Sequence, residues 1–203
     1  MVIIIDYGLG NLGSMLNMME KSYIEAIVSA DHKVIAKADK LILPGVGSFD
    51  TGMQSLAERM MIPLLNELVL EKKVPILGIC LGMQLMSKKS EEGKMSGLGW
   101  LNAETIRFKL PDDRMKIPHM GWNQITVTQD HPLLSGLQDI SRFYFVHSYH
   151  VASLNPANIL ATSHYGIDFN AVMVKENIMG VQFHPEKSHK FGMRLLNNFA
   201  ELV

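Results

Sequence analysis

The chain has 203 residues, of which 47% are hydrophobic and 19% are charged, a composition typical of a globular protein rather than a disordered one. Lys plus Arg number 19 and Asp plus Glu number 20, so no basic excess indicates a nucleic acid or an anionic membrane as partner. No apolar stretch approaches the ~20 residues of a membrane span, and the N-terminus lacks the basic region of a signal peptide. A single cysteine excludes an internal disulfide. We therefore expect one cytoplasmic domain over residues 1–203, without a metal site or a membrane segment.

The first half of the chain alternates apolar strands with helical patterns. Strands are predicted at residues 2–6, 24–29, 40–43 and 74–79, and helices at 12–19, at 53–72 with a break near Pro63, and at 81–88. Short apolar runs of this kind are typical of buried parallel strands. The alternation predicts an α/β fold with a mostly parallel central sheet and helices on both faces.

The second half is richer in strands. They are predicted at residues 125–128, 142–149, 159–163, 171–175 and 179–183. Ser188 is the predicted N-cap of a last helix, whose apolar side carries Phe191, Leu195, Phe199 and Leu202.

A glycine-rich turn follows the first strand. Gly8-Leu9-Gly10-Asn11-Leu12-Gly13 matches the dinucleotide fingerprint G-x-G-x-x-G, and Asp31 lies near the distance at which the ribose-binding acid is expected. The alternative is that these glycines only permit a sharp turn between strand and helix. From the pattern alone both interpretations stay open.

The strongest catalytic signal is Gly78-Ile79-Cys80-Leu81-Gly82, which has the G-x-nucleophile-x-G form of a nucleophile elbow between an apolar strand and a helix. At the start of that helix, unpaired N–H groups and the helix dipole favour the thiolate of Cys80. The N–H of Leu81 is then directed at the oxyanion of an attacked carbonyl. A buried structural cysteine is the alternative, but it does not explain the two flanking glycines.

A cysteine nucleophile needs a base and a group that orients the base. His184 ends a predicted strand, and Glu186 two residues later is expected on the same side of an extended segment. His119, His147 and His150 are alternative bases, but none has an acid two residues away.

The loop Pro44-Gly45-Val46-Gly47 follows the third strand, on the sheet edge where the elbow is expected. Such loops direct backbone N–H groups at developing negative charge. An ordinary connection between strand and helix is the alternative.

Together these motifs resemble the class I, triad-type glutamine amidotransferases, and within them the family of glutaminase subunits of imidazole glycerol phosphate synthases. The class motifs are Leu77-Gly78-Ile79-Cys80-Leu81-Gly82-Met83-Gln84 and Gly180-Val181-Gln182-Phe183-His184-Pro185-Glu186. The more specific segments are Asp6-Tyr7-Gly8-Leu9-Gly10-Asn11, Pro44-Gly45-Val46-Gly47-Ser48-Phe49, Pro118-His119-Met120-Gly121-Trp122-Asn123 and Tyr144-Phe145-Val146-His147-Ser148-Tyr149. The resemblance spans nearly the whole chain.

The resemblance implies a flavodoxin-like amidotransferase fold and hydrolysis of L-glutamine by a Cys80, His184 and Glu186 triad, without a cofactor. Leu81 and the loop residues Val46 and Gly47 would form the oxyanion hole. The residues implied to hold glutamine are Gln84, Glu92, Ser148 and Tyr149, and Glu91 is an alternative to Glu92. The glycine-rich turn is then a turn and not a nucleotide site.

The resemblance also implies a heterodimer with a (β/α)8 cyclase subunit. Ammonia would pass to that partner, which makes imidazole glycerol phosphate and AICAR from PRFAR in histidine biosynthesis. The residues implied to lie at the subunit interface are Met120, Trp122, Asn123 and Tyr144. Two alternatives are a paralogous glutaminase subunit that serves a nucleotide sugar and, more distantly, a cysteine hydrolase that shares the elbow.

Overall fold

A computed structural model describes residues 1–137, 140–153 and 155–203. Its strands are β1 (Val2–Ile5), β2 (Ala26–Ser29), β3 (Lys40–Leu43), β4 (Ile76–Ile79), β5 (Glu104–Arg107), β6 (His119–Gln124), β7 (Thr126–Val127), β8 (Arg142–His147), β9 (Tyr149–Ala152), β10 (Ile159–Tyr165), β11 (Ile167–Lys175) and β12 (Ile178–Val181). Its α-helices are α1 (Leu12–Lys21), α2 (His32–Ile35), α3 (Phe49–Glu58), α4 (Met61–Asn66), α5 (Leu81–Leu85) and α6 (His189–Glu201).

The central sheet has eight strands in the order β2-β1-β3-β4-β12-β11-β10-β7. The first five are mutually parallel, and the last three continue the sheet in antiparallel fashion. The parallel part has the flavodoxin-like order, in which ligands bind beyond the carboxyl ends of the strands. The predicted α/β fold with a mostly parallel sheet is therefore confirmed.

Side chains of the parallel strands alternate between two apolar cores, one on each face of the sheet. In β1, Ile4 packs into the core that contains α6 residues such as Leu195, whereas Ile3 and Ile5 pack into the core that contains Leu56 of α3. Both sides of the strand are buried, which explains why its sequence is continuously apolar. The helices on both faces leave the strand ends open for a site.

A two-stranded ribbon of β6 and β8 lies outside the central sheet, and its β6 strand was not predicted. Residues 119–124 contain a glycine and mostly polar or bulky side chains, so no apolar run marks the strand. The predicted strand 142–149 is divided at Ser148, where the chain leaves β8 to pair as β9 with β5. Ser148 thus lies at the point where the chain changes partners.

Several helix boundaries differ from the predictions. The helical break comes at Met60, which adopts a left-handed φ of 57°, whereas Pro63 lies in the first turn of α4, where the missing N–H costs nothing. The helix after Cys80 ends at Leu85 rather than at residue 88. Leu202 follows α6 and is exposed, so it does not belong to the apolar side of that helix.

No helix in the described part of the chain is long and apolar enough to span a bilayer.

Candidate active site

Cys80 occupies a strained turn between β4 and α5. Its φ of 53° and ψ of −107° are unfavourable for a residue with a side chain, and its N–H donates to the Val181 carbonyl at 2.8 Å. Backbone strain of this kind is typically found at functional sites. The turn lifts the thiol off the end of the sheet, as predicted for a nucleophile elbow.

The glycines beside Cys80 are required for close packing and not for their own backbone angles, since neither has a positive φ. A Cβ on Gly82 would lie 1.8 Å from the Leu43 carbonyl oxygen, and one on Gly78 would lie 2.8 Å from backbone atoms of Gly82 and Met83. Any side chain at these positions would therefore push the elbow away from the sheet.

His184 is brought to Cys80 because β12 pairs in parallel with β4, so the two strands end side by side. His184 Nδ1 lies 2.8 Å from Glu186 Oε1, and the two side chains are only 2% and 3% exposed. The predicted pair thus exists, but the predicted reason is wrong. Pro185–Lys187 is a turn of 3₁₀ helix, and the turn, not an extended segment, bends Glu186 back to the imidazole.

The environment of His184 favours its charged form. Burial alone lowers the pKa of a histidine, but interactions with Cys80 and Glu186 outweigh burial and raise the pKa of His184 to about 10. Nε2, the nitrogen not used by Glu186, is buried and has no hydrogen-bond partner among the described residues. This arrangement leaves a proton on Nε2 of the charged His184 that no hydrogen bond within the described residues holds.

Gln182 contacts Cys80, and the sequence analysis assigned it no role. Its side chain is fully buried and its Nε2 donates to Cys80 Sγ at 3.7 Å. Its Oε1 accepts from Gln84 Nε2 at 3.3 Å. Its position in the sequence could have identified it, since Gln182 follows the end of β12 and precedes His184 by two residues.

A cavity of about 300 Å³ opens over Cys80 and His184. Its lining includes all the residues predicted for the oxyanion hole and for glutamine, namely Val46, Gly47, Leu81, Gln84, Glu92, Ser148 and Tyr149. Glu92 Oε2 also accepts from the Phe49 N–H at 2.8 Å. Glu91 lies outside the cavity lining and instead accepts from the Arg107 N–H at 2.8 Å.

The loop beside the cavity is anchored at its first residue by Tyr7, which the sequence analysis did not single out as a site residue. The buried Tyr7 hydroxyl donates to the Pro44 carbonyl at 2.7 Å. Burial, with a smaller contribution from the neighbouring Cys80, raises the pKa of Tyr7, so the hydroxyl keeps its proton. Val46 and Gly47, further along, are exposed at the cavity mouth.

The residues predicted for a partner interface lie on the β6–β8 ribbon. Met120 and Trp122 are 61% and 44% exposed, and Trp122 pairs across the ribbon with Tyr144 at 6.2 Å between ring centroids. Large exposed apolar side chains on one strand are typical of an interaction surface. Asn123 is only half-buried and its amide is turned inward, where it donates to the His164 carbonyl at 2.8 Å.

The alternative bases His119, His147 and His150 are buried together and are kept neutral. Burial lowers the pKa of His119 and of His150 to about 4. Burial, the largest cause, lowers the pKa of His147 to about 3. None of the three has a carboxylate at hydrogen-bond distance among the described contacts, unlike His184.

Acid should therefore destabilise the fold through these three histidines. An unfolded histidine has a pKa of ~6.5, so below that pH the unfolded chain binds protons that the folded chain excludes. The stability that the fold gains from keeping these histidines neutral is complete above pH 6.5 and is lost as the pH falls toward 4. We expect urea unfolding between pH 6.5 and 5 to show stability falling by up to about 1.4 kcal/mol per pH unit for each histidine. A free energy of unfolding that does not change over this range would contradict the assignment, and His119→Phe should reduce the slope.

The glycine-rich turn does not have the packing of a dinucleotide site. In that fingerprint the third glycine permits close contact between helix and strand. A Cβ on Gly13 would meet nothing within 4 Å, whereas Gly8 and Gly10 have positive φ values of 88° and 117°. The turn interpretation therefore accounts for Gly8 and Gly10.

The fold recurs in solved amidotransferase structures. A crystal structure of a glutamine amidotransferase superposes with a TM-score of 0.77 at 20% identity, covering 99% of this chain and 97% of that one. The PurLQS structure from Thermotoga maritima gives a TM-score of 0.73 at 17% identity, covering 98% and 96%. The family model for class I glutamine amidotransferases matches residues 3–202. The chain belongs to the class I glutamine amidotransferases.

Full-length relatives narrow the family further. The chain is 50% identical to imidazole glycerol phosphate synthase subunit HisH 2 of Pseudomonas aeruginosa, over 100% of both chains. It is 54% identical to HisH 2 of Methanococcus maripaludis, over 99% of both, and 44% identical to HisH of Bdellovibrio bacteriovorus, over 100% of both. Within the amidotransferases, these full-length similarities place the chain in the HisH group.

Proposed function

We propose that the chain is the glutaminase subunit of an imidazole glycerol phosphate synthase, a single amidotransferase domain over residues 1–203 that acts in the cytoplasm. It hydrolyses glutamine to glutamate and ammonia, and the ammonia passes to a (β/α)8 cyclase subunit that makes imidazole glycerol phosphate and AICAR from PRFAR. The observation that carries the proposal is the buried His184–Glu186 pair at the cavity that Cys80 also lines. The relatives' names support the choice of synthase.

The first half of the reaction releases ammonia. The Cys80 thiolate attacks the side-chain amide carbon of glutamine, and the carbonyl oxygen becomes an oxyanion. His184 then gives its Nε2 proton to the departing nitrogen as the carbon–nitrogen bond breaks, which leaves a thioester on Cys80 and a neutral imidazole. Glu186 holds the ring through Nδ1 during this transfer, as its 2.8 Å contact indicates.

The second half releases glutamate. Part of the raised pKa of His184 comes from Cys80, so formation of the thioester removes that contribution and makes neutral imidazole easier to maintain. His184 takes a proton from water, the hydroxide adds to the thioester carbon, and the Cys80 thiolate leaves. The thiolate–imidazolium pair is restored, and the net reaction is glutamine plus water to glutamate plus ammonia.

The cavity provides groups for the rest of the substrate. Gln84 Nε2 already donates to the Tyr149 carbonyl at 3.0 Å and to Gln182, so the Gln84 amide oxygen is the part that accepts from the α-amino group. Glu92 binds the same ammonium by its charge. The backbone of Ser148 and Tyr149 contacts the amino-acid end. The oxyanion is stabilised by the N–H of Leu81 and an N–H from the loop at Val46 or Gly47.

The partner-facing surface in this proposal is the β6–β8 ribbon with its exposed Met120 and Trp122, flanked by Tyr144 and Asn123. Because that ribbon also carries His147 to the cavity, a cyclase seated there would lie next to the site where ammonia forms.

The test is glutamate release from glutamine with and without the (β/α)8 cyclase of the same organism and with and without PRFAR. We expect a large increase only when cyclase and PRFAR are both present, together with formation of imidazole glycerol phosphate. Absence of glutamate release in every combination, with a folded cyclase, would contradict the proposal.

A second acceptor is a nucleotide sugar, served through a paralogous cyclase-like partner. Two proteins of Methanococcus maripaludis carry the name imidazole glycerol phosphate synthase subunit HisH, and this chain is 54% identical to HisH 2 and 44% identical to HisH 1. The chain therefore resembles the second of two copies more than the first. Glutamine hydrolysis that responds to a nucleotide sugar and its partner, and not to PRFAR, would favour this acceptor and keep the glutaminase.

A further inference from the structure

Two buried histidines that the proposed reaction does not use link the glutamine cavity to the β6–β8 ribbon. His119 Nδ1 lies 3.0 Å from His147 Nε2, and His147 Nδ1 lies 2.8 Å from the Tyr149 carbonyl oxygen. At the other end, Asn123 Nδ2 lies 3.2 Å from His119 Nε2. His147 and Tyr149 both line the cavity.

The proton positions along this series of hydrogen bonds follow from the groups at its two ends, the Asn123 amide and the Tyr149 carbonyl. The Asn123 amide oxygen accepts from the Gln124 N–H at 2.8 Å, so the amide nitrogen must face His119 and donate to Nε2. His119 then carries its proton on Nδ1 and donates to His147 Nε2. His147 in turn carries its proton on Nδ1 and donates to the Tyr149 carbonyl, which can only accept. The Asn123 amide and the Tyr149 carbonyl therefore require the same direction of hydrogen-bond donation, from Asn123 toward Tyr149.

Ring packing holds the histidines in these orientations. The His119 ring stacks on Tyr165 at 4.2 Å and on Phe145 at 4.9 Å between centroids. The His147 ring packs against Phe108 at 5.1 Å and Phe169 at 5.2 Å. Rotation of either ring would break these contacts, so a change at one end of the chain acts on the proton positions rather than on the ring orientations.

The carbonyl at the inner end also has a role in the cavity. Tyr149 oxygen accepts from Gln84 Nε2 at 3.0 Å as well as from His147, so two donors fix its orientation. Gln84 is in turn joined to Gln182, which donates to Cys80 Sγ. The histidine chain therefore ends on the same group that orients the Gln84 amide.

We propose that Asn123, His119 and His147 form a positioning chain, in which Asn123 on the ribbon sets the proton positions of the two histidines and thereby orients the Tyr149 carbonyl and Gln84 for glutamine. These three are positioning residues and take no part in bond breaking. The inference rests on the proposed function for its kinetic consequence, whereas the proton positions are a property of the folded chain alone.

The first test is the nitrogen chemical shifts of the imidazoles in the intact wild-type protein at pH 7. We expect His119 and His147 both to be neutral with the proton on Nδ1, whereas a free neutral imidazole can carry it on either nitrogen. A proton on Nε2 of either ring would overturn the proposal, and this measurement depends neither on a variant nor on glutaminase activity.

The second test is Asn123→Asp, which keeps the shape but replaces the donor by an acceptor. His119 must then donate from Nε2 to the new carboxylate, and His147 must donate from its Nε2 to His119 Nδ1. The Tyr149 carbonyl then no longer receives a hydrogen bond from His147. We expect the tautomer signals of both rings to change and the KM for glutamine to rise about tenfold, the loss expected for roughly one hydrogen bond, with kcat changed less. Asn102→Asp, the same change at an exposed residue outside both the ribbon and the cavity lining, is the matched control and should alter neither.

His119→Phe distinguishes positioning from packing, because it keeps an aromatic ring between Phe145 and Tyr165 but cuts the chain. Assays use saturating cyclase and PRFAR. A KM within twofold of wild type in both variants, despite changed tautomers, would overturn the link to glutamine. If the wild type itself releases no glutamate, the proposed function fails. The positioning chain of Asn123, His119 and His147 is then tested by the tautomers of the two histidines and by whether Asn123→Asp shifts the Tyr149 carbonyl carbon signal.

Discussion

Replacing Cys80 by alanine is expected to abolish glutamine hydrolysis while the protein stays folded. The thiolate forms the covalent intermediate, and removal of a nucleophile from a concerted triad lowers kcat by roughly 10³-fold or more. Alanine removes only the sulfur and keeps the Cβ atom, which the strained backbone at this position already accommodates. The measurement is glutamate release with saturating cyclase and PRFAR, compared with the wild type.

Two controls make the Cys80 result decisive. Because Cys80 is the only cysteine, a glutamine-like electrophile should label one thiol in the wild type and none in the variant. Thermal unfolding should report a similar midpoint for both proteins. Turnover retained in Cys80→Ala would remove Cys80 from the mechanism. A Cys80→Ala/His184→Ala double variant should be about as inactive as either single variant, since residues of a triad act as a unit.

Replacing Glu186 by glutamine is expected to lower kcat by about 10²- to 10⁴-fold, the range seen when the orienting acid of a triad loses its charge. The Glu186 side chain is 3% exposed and accepts from His184 Nδ1 at 2.8 Å. Its negative charge is one of the two interactions that hold the pKa of His184 at about 10 against the effect of burial. A neutral amide removes that charge but preserves the shape.

The sign of the pH effect follows from the raised pKa. Below the unfolded value of ~6.5 both folded and unfolded His184 are charged, and the stabilisation of the folded charged form is complete. It is lost as the pH rises through about 10 in the wild type. In Glu186→Gln we expect His184 to lose its proton at a lower pH.

A carbon or nitrogen NMR titration of the imidazole measures this shift directly. Glu176→Gln is the matched control, because Glu176 is an exposed carboxylate paired with Lys73 and far from the cavity lining. It should leave both kcat and the titration unchanged. An unchanged His184 titration in Glu186→Gln would show that Glu186 does not stabilise the imidazolium.

The local pattern around Cys80 was sufficient to predict the elbow. An apolar run, a glycine, the cysteine and a second glycine before a helix leave few alternatives, because β4 must end and α5 must begin within one residue. The parallel strands were predictable for the same reason, since strands buried on both faces are continuously apolar. The strand β6 was missed because a half-exposed ribbon strand has no such constraint.

The partners of Cys80 were decided by tertiary structure. His184 reaches Cys80 because β12 pairs with β4, and that pairing joins segments about a hundred residues apart. The contact with Glu186 depends on a 3₁₀ turn that spacing on a strand did not predict. Neither contact can be predicted from a short stretch of sequence, because the residues of a strand do not show which other strands it will pair with.

The same reason explains the residues that the sequence analysis left without a role. Gln182 and Tyr7 are polar side chains buried beside the cavity, and each is satisfied by a group distant in sequence. Short-range patterns predict which segments form strands and turns, since local sterics and burial decide those. Which polar groups meet inside the fold depends on sheet order and register, and only the assembled tertiary structure determines these contacts.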